Sequence, residues 1–186
     1  MKYPSILGRV VKALLVAIGL ALSLVPIASA QPSSSTAAGS VVIQENYDSL
    51  STYFSDEELT ALDEISSDAE IRHLVSAIEN PESVLQVEEG NGGFTIQQNG
   101  CTYSPDSWGR ANFKPSCDRH DICYSPSSST NRLDCDIRFR ADLKAECGRA
   151  YGSGVQAGAC RGVADVYYGT VRKLGSGFYK GSGLNN

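Results

Sequence analysis

The stretch Cys117-Asp118-Arg119-His120-Asp121-Ile122-Cys123-Tyr124 gathers the residue types that can do chemistry into eight positions. It holds one of the chain's two histidines, two of its six cysteines, and a carboxylate directly after the histidine. Residues three and four apart share a helix face. A helix here lines up Cys117, His120, Cys123 and Tyr124 and turns Asp121 about 100° away. A base and a possible metal ligand then project at an angle from one rigid rod, whose position the cysteines can fix. Asp136 belongs to the same chemistry. It shares a predicted helix face with Leu133, Phe139, Leu143 and Cys147, and a carboxylate facing a core needs a partner. His120 on a neighbouring helix is such a partner. The two together make a base and its orienter, the arrangement that sets the imidazole tautomer and stabilises the imidazolium. From periodicity alone, Asp136 reads equally well as a helix-surface carboxylate.

The elements that must position these residues follow from the rest of the chain. Lys2, Arg9 and Lys12 precede an apolar run, Ala13 to Leu22, and Ala28-Ser29-Ala30 offers small residues for cleavage. Residues 1–30 read as a secretory signal cut after Ala30, and the product as secreted and extracellular. The apolar run is short for a membrane anchor. Secretion gives the cysteines their meaning. All six lie between Cys101 and Cys160, and in an oxidising compartment an even set predicts three disulfides. Spacing alone does not choose among the fifteen pairings that six cysteines allow. The competing reading is a zinc site that uses Cys117, His120 and Cys123.

Charge divides the chain. Residues 31–92 carry thirteen Asp/Glu and one basic residue, Arg72, a balance of −12. Residues 93–186 carry twelve Lys/Arg and eight Asp/Glu, a balance of +4. This polarity predicts two parts, an acidic N-terminal extension or propeptide over 31–92 and a disulfide-bridged domain over 93–186, joined at Glu89-Gly90-Asn91-Gly92-Gly93. The charge split suggests an acidic cover over a cationic membrane-binding face until it is removed. Beyond the mild positive charge, nothing points to nucleic acid.

Gln31 to Ser40 lacks a core-forming pattern and reads as a spacer. Ser55/Glu58 and Ser67/Glu70 have capping-box spacing and predict two helices, with Asn80-Pro81 stopping the second. His73 lies in the second and receives no role. Pro115 suits the first turn of the His120 helix, which runs to about Tyr124. Asn131 is a helix N-cap with Asp134 three residues on, and Gly148 is the expected end of that helix. A last helix spans about Ala157 to Lys173, and Gly175, Gly177, Gly181 and Gly183 predict a loose tail. No alternating strand pattern stands out beyond Phe94-Thr95-Ile96. The fold class is all-α, a small bridged helical domain with two antiparallel site-bearing helices behind an acidic extension.

Cys-x-x-His-Asp-x-Cys-Tyr at 117–124, followed by Cys135-Asp136, Phe139 and Asp142-Leu143, resembles secreted phospholipase A2, above all its fungal and bacterial branch. Asn99-Gly100-Cys101 and Ser104-Pro105-Asp106 precede them in that family's order, and the resemblance covers roughly 97–173. It implies a calcium-dependent hydrolase of the sn-2 ester of glycerophospholipids that works at a phospholipid membrane or micelle surface. His120 would be the general base and Asp136 its orienter. Asp121, Gly100 and Asn99 would hold Ca2+, Gly100 through its carbonyl. A backbone N–H near Gly100 would join the ion at the oxyanion. The implied disulfides are Cys101–Cys117, Cys123–Cys135 and Cys147–Cys160.

Calcium takes oxygen ligands and leaves room for water and substrate. Direct attack by an activated water also fits the absence of an obvious nucleophilic-serine motif. The chain departs from the branch at Asn99, where an aspartate is usual, and at Ile122-Cys123, where Phe-Gly is common. Asp134 competes with Asp136 as orienter, but it suits the helix's first turn and lacks the family spacing to Phe139. Trp108, Phe113 and Tyr124 are equally readable as an acyl-channel lining or as packing. The alternative function is a non-catalytic disulfide module that binds a membrane or receptor.

Overall fold

The computed structural model describes residues 40–86, 100–102 and 104–186, all within a unit that begins at Thr36. The predicted signal, most of the predicted spacer, the glycine-rich joint, residues 94–96 and Asn99 lie outside the described residues. Two short helices open the described chain, α1 (Val41–Glu45) and α2 (Tyr47–Leu50). Next come α3 (Asp56–Ile65) and α4 (Asp68–Glu79). Both carry the capping boxes that their sequences announce. Ser55 Oγ accepts from Glu58 N while Glu58 accepts from Ser55 N, and Ser67 and Glu70 repeat the exchange. Each box satisfies two backbone donors that a helix start leaves open. A 3-10 turn follows at Pro81–Gln86.

Beyond residue 100, β1 (Ser107–Trp108) and β2 (Ala111–Asn112) form a minimal antiparallel hairpin, too short for an alternating pattern to show. Three longer helices complete the fold: α5 (Lys114–Tyr124), α6 (Arg132–Tyr151) and α7 (Val155–Leu174). The predicted stop at Gly148 is passed by one turn, and Gly152 ends α6 instead. All three expected disulfides are present, Cys101–Cys117, Cys123–Cys135 and Cys147–Cys160. No cysteine is left for zinc. The middle bridge ties the end of α5 to the start of α6, and the last ties α6 to α7.

One apolar core runs through both halves. Leu50, Leu62, Ile71 and Leu74 of the acidic segment join Trp108, Phe139, Leu143 and Val163. The amphipathic faces of α3 and α4 lie on α7. The contact is close because α7 is bare there. A Cβ on Gly162 would stand 2.4 Å from the Phe54 ring, and one on Gly158 would stand 2.9 Å from Glu58 Oε1. The hairpin is pinned from the same side, Trp108 Nε1 donating to Ser66 Oγ at 2.9 Å and Gly109 N to Glu70 Oε1 at 2.9 Å. Among the described residues, every ion pair lies between residues 114 and 172 and none reaches the acidic segment. Apolar burial and hydrogen bonds, two of them to glutamate carboxylates, attach the described part of the extension without an ion pair.

The tail is a strap rather than the loose end its glycines predict. Lys180 N donates to Tyr124 O, Ser182 N to Ser128 O, and Tyr179 Oη to Thr130 O at 2.6 Å. Leu184 N takes Asn131 Oδ1 at 3.0 Å, so the expected N-cap of α6 spends its oxygen on the strap. Glycines here supply room: Cβ atoms on Gly181 and Gly183 would meet Tyr179 Oη and Thr130.

Candidate functional site

Helix α5 buries Cys117, His120 and Tyr124 on one side and leaves Ile122 49% exposed on the other. Asp136 is fully buried on α6, where the bridge at Cys123–Cys135 brings the two helices together. His120 Nε2 lies 2.7 Å from Asp136 Oδ1. A carboxylate partner fixes the tautomer: Nε2 carries the hydrogen and Nδ1 keeps its lone pair. Asp134, the competing orienter, is exposed and accepts from Asn131 Nδ2 instead.

Asp136 has partners that the sequence did not reveal. Tyr124 Oη donates to Oδ1 at 2.6 Å, and Arg172 Nη1 of α7 donates to Oδ2 at 2.6 Å. Arg132 Nη1 stands 3.5 Å from the same oxygen. Burial pushes this carboxyl toward its neutral form, but the hydrogen bonds from His120, Tyr124 and Arg172 outweigh it and hold the pKa below the usual carboxylate range. Tyr124 is driven the other way, first by burial and then by Asp136, so it remains a donor. The aromatic rings of Tyr124 and Phe139 flank the imidazole at 4.2 and 4.6 Å between centroids. The base is thus held by two rings and one anchored carboxylate.

His120 and Asp121 line one wall of a cavity of about 120 Å³. Gly100, Thr102 and Ser104 add polar atoms, and Phe139, Tyr167, Val171, Leu174 and Phe178 make it apolar elsewhere. Tyr124 lines it too, whereas Trp108 and Phe113 are fully buried and absent from its walls. A second cleft, bounded by Arg119, Ile122, Arg138 and Ser127–Thr130, meets the first at His120 and Phe139.

The residues expected to hold a cation are partly gathered. Asp121 Oδ2 is buried without a hydrogen-bond partner. Burial, followed by the charge of Asp118, pushes the Asp121 carboxyl up to about 7. Such a group is short of a positive charge. Gly100 stands in the same cavity wall with φ +93, a conformation that glycine adopts without strain. Among the described residues no three His, Cys, Asp or Glu side chains converge on a metal position. A carboxylate beside backbone carbonyl oxygen is the kind of donor set that suits calcium. Asn99 lies outside the described residues.

The amides of residues 100 to 102 are all engaged. Gly100 N donates to Asp118 Oδ1, Cys101 N to Asp106 Oδ1, and Thr102 N to Gly100 O. These donors hold the loop itself.

Residues 82–175 match the family model described as prokaryotic phospholipase A2. That span contains His120, Asp121, Asp136, Gly100, Tyr124 and Arg172 and leaves α1–α4 outside it. A secretory phospholipase A2 of Arthroderma benhamiae is 39% identical over 84 residues, covering 41% of this chain and 57% of the relative. One of Beauveria bassiana is 37% identical over 104 residues, covering 55% of this chain and 49% of the relative. The chain spans about half the length of the curated relatives it matches. No solved structure gives a significant match.

Proposed function

Because the chain belongs to the prokaryotic phospholipase A2 family, we propose that it is a secreted, calcium-dependent phospholipase A2. It would release the sn-2 fatty acid of a glycerophospholipid at a membrane or micelle surface and leave a lysophospholipid. The observation that carries this reading is the buried His120–Asp136 pair, 2.7 Å apart, on the wall of a largely apolar cavity with Asp121 beside it.

His120 acts as the general base. With Nε2–H committed to Asp136, Nδ1 accepts a proton from a water, which then attacks the ester carbonyl. Asp136, kept ionised by Tyr124 and Arg172, stabilises the imidazolium that forms. The imidazolium returns its proton to the departing glycerol oxygen. Apolar side chains around the imidazole exclude bulk water and accept the acyl chain. Asp121 and the Gly100 carbonyl, with Asn99 by family resemblance, would hold Ca2+. When bound, the ion supplies electrophilic polarisation of the ester carbonyl and charge for the phosphate.

The test is fatty-acid release from phospholipid vesicles labelled separately at sn-1 and sn-2, with Ca2+, with chelator, and with His120→Asn. Calcium-dependent sn-2 release that the substitution abolishes is the expected result. Equal release by His120→Asn, or none from the correctly bridged wild-type chain, overturns the reading.

A further inference from the structure

We propose that Asp118 is a positioning residue for the cation site: it holds the Gly100 segment in the conformation that presents its carbonyl beside Asp121. The inference rests on the reading that Asp121 and Gly100 hold Ca2+.

Asp118 and Asp121 sit three residues apart on α5, so two carboxylates rise along neighbouring lines of one helix. Their partners differ. Asp121 Oδ2 is buried and unbonded. Asp118 is fully engaged: Oδ1 accepts the Gly100 amide at 3.0 Å, and Lys114 Nζ reaches Oδ1 and Oδ2 at 3.1 and 3.2 Å. The lysine offsets the charge that Asp118 brings near Asp121. What remains is a hydrogen bond from an anion to a backbone amide across eighteen residues, stronger than one between neutral groups.

That bond acts on a segment with little freedom left. Cys101 is bridged to Cys117, one residue before Asp118. Asp106 Oδ1 takes Cys101 N at 2.7 Å and fills the space a Gly100 side chain would need, 2.1 Å from its Cβ position. Asp106 holds the peptide that carries the Gly100 carbonyl, through Cys101 N, and Asp118 holds the peptide before it, through Gly100 N. Asp118 therefore fixes the plane on the N-terminal side of Gly100, and with both planes held the dihedrals of Gly100, and so the direction of its carbonyl, are set. Groups that orient metal ligands without touching the metal typically contribute 10–100-fold in affinity.

The experiment is calorimetric titration of Ca2+ into the full-length wild-type chain, Asp118→Ala and Asp118→Asn, with amide hydrogen exchange at Gly100 measured without metal. Asp118→Ala is expected to bind Ca2+ about 10–100-fold more weakly and to lose protection at Gly100, with its three disulfides intact. Asp118→Asn keeps an oxygen for the Gly100 amide and is expected to retain most of the affinity and protection. Unchanged Ca2+ affinity in Asp118→Ala overturns the inference. Equal losses in the Asn and Ala variants, with Gly100 still protected in Asn, also overturn it, because charge would then be the working feature. If Asp118→Ala does not fold, Gly100 protection in the wild-type protein decides: rapid exchange there overturns it. A wild-type chain that binds no Ca2+ refutes the cation reading itself, a different result from wild-type binding that the variants leave untouched.

Discussion

At the scale of residues, the site turns on how Asp136 is held. Three donors and a nearby second guanidinium surround one buried carboxylate, so its charge is compensated and its orientation fixed. Replacing it with Asn offers an amide that can present N–H to Nε2 and favour the wrong tautomer. Asp136→Asn is expected to lower kcat by about 10²–10⁴, read in the vesicle assay beside a melting curve that confirms folding. Helical spacing and cysteine neighbours allowed the pairing of His120 with Asp136, and the family resemblance singled it out over a surface carboxylate. The sequence could not make Arg172 legible. That residue lies 36 positions from its partner, and nothing in a cationic helix end distinguishes a buried clamp from a solvated charge. Tyr124 fell between the two: its face was readable, but not the destination of its hydroxyl.

At the scale of elements, capping and periodicity carried the fold. The two capping boxes, Pro115 and the apolar face of α6 each predicted a helix that forms. The misses have physical causes. Gly148 fits within a helix because a helical glycine costs only about 1 kcal/mol, and α6 simply continues. The tail's glycines allow close packing, which composition cannot separate from looseness. The packing of α3 on α7 yields a prediction: Gly162→Val pushes branched carbons into the Phe54 ring and is expected to destabilise by about 1–3 kcal/mol, seen as a lower Tm. His73 gives a second. Burial lowers its pKa, and its Nε2 is buried without a partner. The folded state therefore favours neutral His73. Its stability contribution is whole above the unfolded value of about 6.5 and is lost as pH falls through the lower folded value. His73→Leu is expected to flatten the fall in Tm between about pH 7 and pH 5 relative to wild type. An identical slope in both proteins counts against it.

At the scale of the whole molecule, charge and core give different boundaries. The −12/+4 split suggested a removable cover, yet Leu62, Ile71 and Leu74 share a core with Trp108 and Val163. A chain starting at Gly93 leaves Trp108 without Ser66 and α7 without Phe54. It is expected to melt earlier than a chain starting at Gln31 and to hydrolyse vesicles no faster. An equal Tm with faster hydrolysis of anionic vesicles would instead make the segment a detachable cover. The disulfides carry a consequence for biogenesis. Each bridge joins cysteines adjacent in sequence order, with separations of 16, 12 and 13 residues. Loops this short close at modest entropic cost. On the proposed secretory route the chain would thread N-terminus first into an oxidising lumen, and each cysteine pair would complete before the next pair emerges. Native connectivity is then the order of arrival, and maturation needs little help from enzymes that reshuffle mispaired thiols.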